Sequence, residues 1–154
     1  MLKISQKLEY AIRAMIELAE RRESGQPVPA RALASAQQIP LRFLEQQLGA
    51  LGRAGLIESS RGANGGYRLS RDADQITVAQ IADAIEGQLA PMFCLEPTDH
   101  TCFADSRCGL QGFWGDVAKA ISKVLDETTV ADLVARNRKA APVFSAADLT
   151  ARLN

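Results

Sequence analysis

Three cysteines, Cys94, Cys102 and Cys108, lie within the fifteen residues CLEPTDHTCFADSRC, and the rest of the chain has none. Between them stand Pro97, Thr98, Asp99, His100, Asp105, Ser106 and Arg107, residue types that favour loops. Thiolates gathered on one loop can hold an iron–sulfur cluster. Three sulfurs and a nitrogen from His100 can hold zinc, and free thiols can serve as a redox switch. The spacing C-x7-C-x5-C lacks the compact C-x2-C of ferredoxins and zinc fingers, so by itself it leaves these chemistries open. A disulfide framework is not expected. The count is odd, and the N-terminus MLKISQKLEYAIRAM lacks the apolar core and cleavage site of a secretory signal. That places the chain in the cytoplasm, where thiols stay reduced. A cysteine nucleophile needs an oriented base. The single histidine, His100, sits two residues from Cys102 on the same loop, with no Gly-rich phosphate loop or paired carboxylates nearby. An enzyme is therefore not expected.

The elements around this loop have readable periods. Leu8, Ala11, Ile12, Met15, Ile16 and Ala19 form an apolar stripe over a helix at 5–22, capped by Ser5. Gly25, Pro27 and Pro29 end it, and Pro29 suits the first position of a short helix, ARALASAQ. After Gln38-Ile39-Pro40 a third helix runs from Leu41 to Ala54, with Leu41, Leu44, Leu48 and Leu51 on one side and Gly55 after its end. Leu56–Ser60 and Tyr67–Leu69 read as paired strands around the tip RGANGG, with Asn64-Gly65 as a two-residue turn. Thr77-Val78-Ala79-Gln80 is a capping box that opens a helix stopped by Gly87. A longer helix from Leu110 to Asp126 carries Trp114, Val117, Ala118, Ile121, Val124 and Leu125 on one side. Thr129-Val130-Ala131-Asp132 caps a last short helix to about Val134. No run is apolar for long enough to cross a membrane.

Two short helices, a tight turn and a Gly-rich hairpin make a winged helix-turn-helix pattern. The fold class is mainly α with a small β-hairpin wing, plus the long helix. A third helix of this kind fits a DNA major groove. Its Arg42 and Gln46 are one turn apart, and both can bond base edges bidentately. Arg61 stands beside glycines that let the wing approach the backbone or minor groove. Charge agrees with this division. Residues 1–71 carry 11 Lys+Arg against 6 Asp+Glu, net +5, and residues 72–154 carry 7 against 12, net −5.

KLEYAIRAMIELA, IPLRFLEQQLGALGRAGLIESSRGANGGYRLSR and the cysteine loop followed by GLQGFWGDV resemble the Rrf family of winged-helix transcriptional regulators, the group of IscR, NsrR and RirA, from Met1 to about Arg138. The resemblance implies a homodimer that binds double-stranded DNA at a near-palindromic operator. By position it assigns DNA contacts to Pro40, Arg42, Phe43, Glu45 and Gln46 in the helix and to Arg61 and Gly62 in the wing. Pro40 and Arg42 stand where the IscR members carry small hydroxyl residues. The resemblance also implies that Cys94, Cys102 and Cys108 hold an iron–sulfur cluster, four-iron favoured over two-iron. Some members take a fourth ligand three residues after the last cysteine, which here is Gln111 rather than histidine. Others take a carboxylate from the partner chain near the start of the first helix. The matching residue is Glu9, which also stands four residues before Arg13 in the order that favours a helical ion pair. The expected organisation is a DNA-binding domain over 1–88, the cysteine loop over 89–112, dimerisation and short C-terminal helices over 113–137, and a flexible tail over 138–154.

Overall fold

The structure is a computed structural model, and it describes residues 4–22, 25–87 and 109–139. The elements are α1 (Gln6–Glu20), α2 (Ala30–Gln37), α3 (Leu41–Arg53), β1 (Ile57–Ser60), β2 (Gly66–Leu69), a 3-10 turn (Ala73–Gln75), α4 (Val78–Glu86), α5 (Gly109–Glu127) and α6 (Val130–Lys139).

Ser5 starts α1 as expected: its Oγ accepts from the Leu8 N–H at 3.2 Å, and its hydroxyl donates to Glu86 at the end of α4. The helix packs against α2, α3, α4 and α6. A helix covered from several sides must be apolar on more than one stripe. That explains why Ala14 and Leu18 are buried, whereas Ile12 and Ala19 of the expected stripe are only half-buried.

The turn between α2 and α3 is held by backbone bonds. Pro29 caps α2 from just outside the helix, one place earlier than expected, and its carbonyl accepts from Ala32 and Leu33 at 2.9 and 3.1 Å. Gln38 ends α2 in the left-handed region (φ 53°), the one non-glycine there among the described residues. Pro40 then caps α3, and its carbonyl accepts from Phe43 and Leu44 at 3.0 and 3.1 Å. Leu44, Leu48 and Leu51 are fully buried, while Leu41 is half-buried. Gly55 follows α3 at φ 69°, as expected.

β1 and β2 pair antiparallel, with Ile57 opposite Leu69 and Ser60 opposite Gly66. The two-residue turn expected at Asn64-Gly65 is replaced by a five-residue connection, 61–65, in which the Gly65 N–H bonds the Gly62 carbonyl at 3.0 Å. The other edge of β2 makes a contact distant in sequence. Val28, in the link between α1 and α2, exchanges hydrogen bonds of 2.8 and 2.9 Å with Tyr67. That bridge brings the Val28 backbone so close to Gly66 that a Cβ there would lie 2.5 Å from the Val28 carbonyl carbon. Pairing of the two strands ends at Ser60 and Gly66.

Both capping boxes form. Thr77 and Gln80 cap α4 reciprocally, and Thr129 and Asp132 do so for α6. The two starts are also joined: the Val78 N–H bonds the Thr128 carbonyl at 2.8 Å, and the Val130 N–H bonds the Ile76 carbonyl at 2.9 Å. α6 continues past Val134 to Lys139. Arg136, Arg138 and Lys139 in its last turn suit the negative end of a helix. α5 lies against α4, but none of its residues is buried.

Candidate nucleic-acid interface

The buried leucines of α3 decide which of its side chains face outward. At about 100° per residue, Arg42, Gln46, Gly49 and Arg53 fall opposite Leu44, Leu48 and Leu51. Phe43 and Glu45 flank them. All seven residues assigned to DNA contact by sequence are on the outer surface: Pro40, Arg42, Phe43, Glu45 and Gln46 around the start of α3, and Arg61 and Gly62 at the wing tip. α3 packs against β1, which carries the chain into that tip. Phe43 is 55% exposed, an unusual position for an aromatic ring.

The arginines of this head fall into two groups. Arg13, Arg21, Arg22 and Arg68 pair with Glu9, Glu17, Asp72 and Glu58. Arg71 donates to the Gln75 carbonyl and the Gln80 side chain. Among the described residues, Arg31, Arg42, Arg53 and Arg61 make no ion pair or side-chain hydrogen bond, and each is exposed. These four lie on α2, α3 and the wing. Arg31 and Arg53 are not among the residues assigned to DNA contact from the sequence. Arg53 could have been found, because it continues the Arg42, Gln46, Gly49 face, and its Nη1 lies 3.5 Å from where a Cβ on Gly49 would stand.

α1 grips the turn that orients this face. Arg13 Nε donates to Gln37 Oε1 at 3.3 Å, and another Arg13 nitrogen donates to the Gln37 carbonyl. Gln37 Nε2 donates to Glu17 Oε2 at 2.7 Å, and Arg21 Nε donates to the other Glu17 oxygen at 2.5 Å. Glu17 is buried, so these bonds replace the water its carboxylate gives up. Gln37 is the last residue of α2, immediately before the left-handed Gln38. The network is invisible to periodicity because α1 and Gln37 are some twenty residues or more apart.

A family model described as an iron-dependent transcriptional regulator, Rrf2, matches residues 4–136. The chain belongs to the Rrf2 family. It is similar to the solved structure of CymR, titled the global cysteine regulator of B. subtilis, with TM-score 0.75 and 34% identity over 88% of this chain and 98% of that one. It is similar to T. potens IscR, with TM-score 0.73 and 33% identity over 94% of each chain. An HTH-type transcriptional regulator named rrf2-like from Rhodobacter capsulatus is 32% identical over 92% of this chain and 98% of its own length. The protein is thus a DNA-binding transcriptional regulator and not an enzyme. No helix among the described residues is long and apolar enough to cross a membrane.

For this Rrf2-family regulator, Cys94, Cys102, Cys108 and His100 lie outside the described residues, as do 140–154 of the expected tail. Among the described residues no group of three or more His, Cys, Asp or Glu could hold a metal. Glu9 sits in the first turn of α1 with its side chain 60% exposed, and its Oε1 accepts from Arg13 Nη1 at 3.4 Å. Gln111 is exposed in the first turn of α5.

Proposed function

We propose that this protein is a cytoplasmic, homodimeric repressor whose affinity for a near-palindromic operator is set by an iron–sulfur cluster. Its ligands would be Cys94, Cys102 and Cys108 together with the partner subunit's Glu9. The observation that carries the reading is the donor set: three thiolates within fifteen residues of an Rrf2-family chain, entering α5 directly after Cys108. Thiolates are the usual ligands of such clusters. A carboxylate is a harder and weaker one, suited to release. When bound, the cluster supplies sensitivity to iron, redox state or nitric oxide, with the four-iron form favoured.

The rest is done by this chain's own residues. Arg42, Phe43, Glu45 and Gln46 face the major groove, with Pro40 beside them, while Arg61 and Gly62 meet the DNA backbone. Along α5, Leu110, Phe113 and Val124 are 61%, 57% and 60% exposed. With Val117 they follow the three- and four-residue steps of a two-helix seam, which supports a second copy of the chain as their cover. Arg13 links the two functions: it holds Glu9 on one side and the Gln37 turn on the other. Taking Glu9 as a ligand frees Arg13 from that pair, and so connects the loop to the orientation of α3.

A second reading, a thiol switch or a zinc site with His100, draws support from the likeness to CymR, a cysteine regulator by its title. The deciding experiment measures iron, acid-labile sulfide and zinc in protein purified without oxygen. It is paired with operator binding by Cys102→Ala. Equal iron and sulfide, with binding altered in the variant, supports the cluster. Zinc without sulfide, or unchanged binding with and without oxygen, sinks it.

A further inference from the structure

We propose that Arg42 is a specificity-determining residue that selects guanine at one position of each operator half-site. This rests on the proposal that α3 enters the major groove. Three observations carry it further, to one residue and one base.

The first is availability. A guanidinium has five N–H donors in a planar fork. In Arg13, Arg21, Arg22, Arg68 and Arg71 these are engaged within the head. Arg42 is exposed and, among the described residues, makes no side-chain hydrogen bond or ion pair. Glu45 is three residues on, near enough along a helix to pair with it, yet no such pair forms. The fork is free for an external partner.

The second is direction. Relative to the buried Leu44, Leu48 and Leu51, Arg42 and Gln46 lie within about 30° of the opposite pole of the helix. Side chains at the pole of a helix lying in the groove face its floor, where the base edges are. Phe43 and Glu45, well off the pole, face the walls. Phosphate contacts are made from the walls, so position separates the two roles Arg42 could play.

The third is the rest of the same pole. Gly49 has no side chain, and Arg53 lies back over it. Two side chains, Arg42 and Gln46, therefore carry base reading from this line. They are one turn apart, about 6 Å along the helix. That spans roughly two base steps at about 3.4 Å each. Guanine presents O6 and N7 as paired acceptors that match the guanidinium fork, whereas adenine presents one donor and one acceptor that match the amide of Gln46. The half-site should hold a guanine set by Arg42, with an adenine set by Gln46 about two steps away.

The test uses full-length protein purified without oxygen, and compares wild type, Arg42→Ala and Gln46→Ala on a randomised duplex library. The guanine found is then replaced by 7-deazaguanine, which lacks the N7 acceptor. Expected is a wild-type preference for guanine of about ten- to a hundredfold at one position per half-site. Arg42→Ala should abolish that preference and no other. The 7-deazaguanine duplex should weaken wild type but not Arg42→Ala, and Gln46→Ala should alter a different position. Arg42 is exposed, so Arg42→Ala should stay folded, which circular dichroism and low-salt binding to random DNA check directly. The proposal is overturned if Arg42→Ala weakens every sequence about equally while lowering the salt slope by about one, which marks a phosphate contact. Sequence-selective wild-type binding that ignores position 42 overturns this inference alone. Wild type that binds no duplex overturns the reading of α3 as well.

Discussion

Two amphipathic helices of this molecule end in opposite situations. In α1, Leu8, Ala11, Ala14, Met15 and Leu18 are 3% exposed or less. In α5, which is longer, no residue is buried, and Leu125 alone of its apolar side chains packs on the core. Both sequences have the three- and four-residue spacing of a helix that needs cover. Among the described residues the difference is in neighbours: α1 is enclosed by α2, α3, α4 and α6, whereas α5 lies mainly against α4. An apolar stripe says that cover is needed. Only topology says whether the same chain provides it.

That contrast can be broken by truncating one side of it. Leu48→Ala, in the enclosed head, removes atoms from a fully buried site. It should lower stability by about 2–5 kcal/mol in denaturant melts, because the cavity adds to the lost transfer energy. Val124→Asp should act differently. The proposed seam would then have to bury an unpaired charge, at about 3 kcal/mol or more, so sedimentation should show dimer shifting to monomer. The far-ultraviolet signal of the head should stay. A large loss of helix in Val124→Asp would mean that α5 is covered by its own chain.

Smaller changes probe the enclosed side of the comparison. Gln38 takes a left-handed backbone that costs an L-residue about 1 kcal/mol or more. Gln38→Gly should therefore stabilise the turn by somewhat under 1 kcal/mol, the gain being offset by glycine's unfolded-state entropy. Thermal melting would reveal it. Smallest is Asp132, whose carboxyl is held below the ordinary carboxylate range by the Thr129 backbone N–H and then by the Thr129 hydroxyl. A depressed folded value stabilises above the ordinary carboxylate pKa and loses that contribution as pH falls through the depressed one. Wild type and Asp132→Asn should differ in melting temperature at neutral pH and converge in acid.

Local signals were legible where local physics decides. Ser5, Thr77-Gln80 and Thr129-Asp132 cap helices because their oxygens reach N–H groups only three residues away. Leu44, Leu48 and Leu51 point inward because a helix repeats every 3.6 residues. From that, the outward positions of Arg42 and Gln46 follow. The outward face of α3 was therefore readable, while the state of its charges was not. Whether an arginine is free, like Arg42, or spent within the fold, like Arg13 on Glu9 and Gln37, depends on groups that can lie far away in sequence. The wing tip differs too: Asn64-Gly65 is a good turn signal, but pairing ends at Ser60 and Gly66, where Val28 bridges Tyr67 and crowds Gly66 from the other edge. The sequence by itself determined the elements, their caps, the inward leucines of α3 and the clustering of three cysteines within fifteen residues. Only the tertiary structure decided where the wing's pairing ends and, among the described residues, which arginines remain unpaired and that no residue of α5 is buried, since pairing and cover depend on segments distant along the chain.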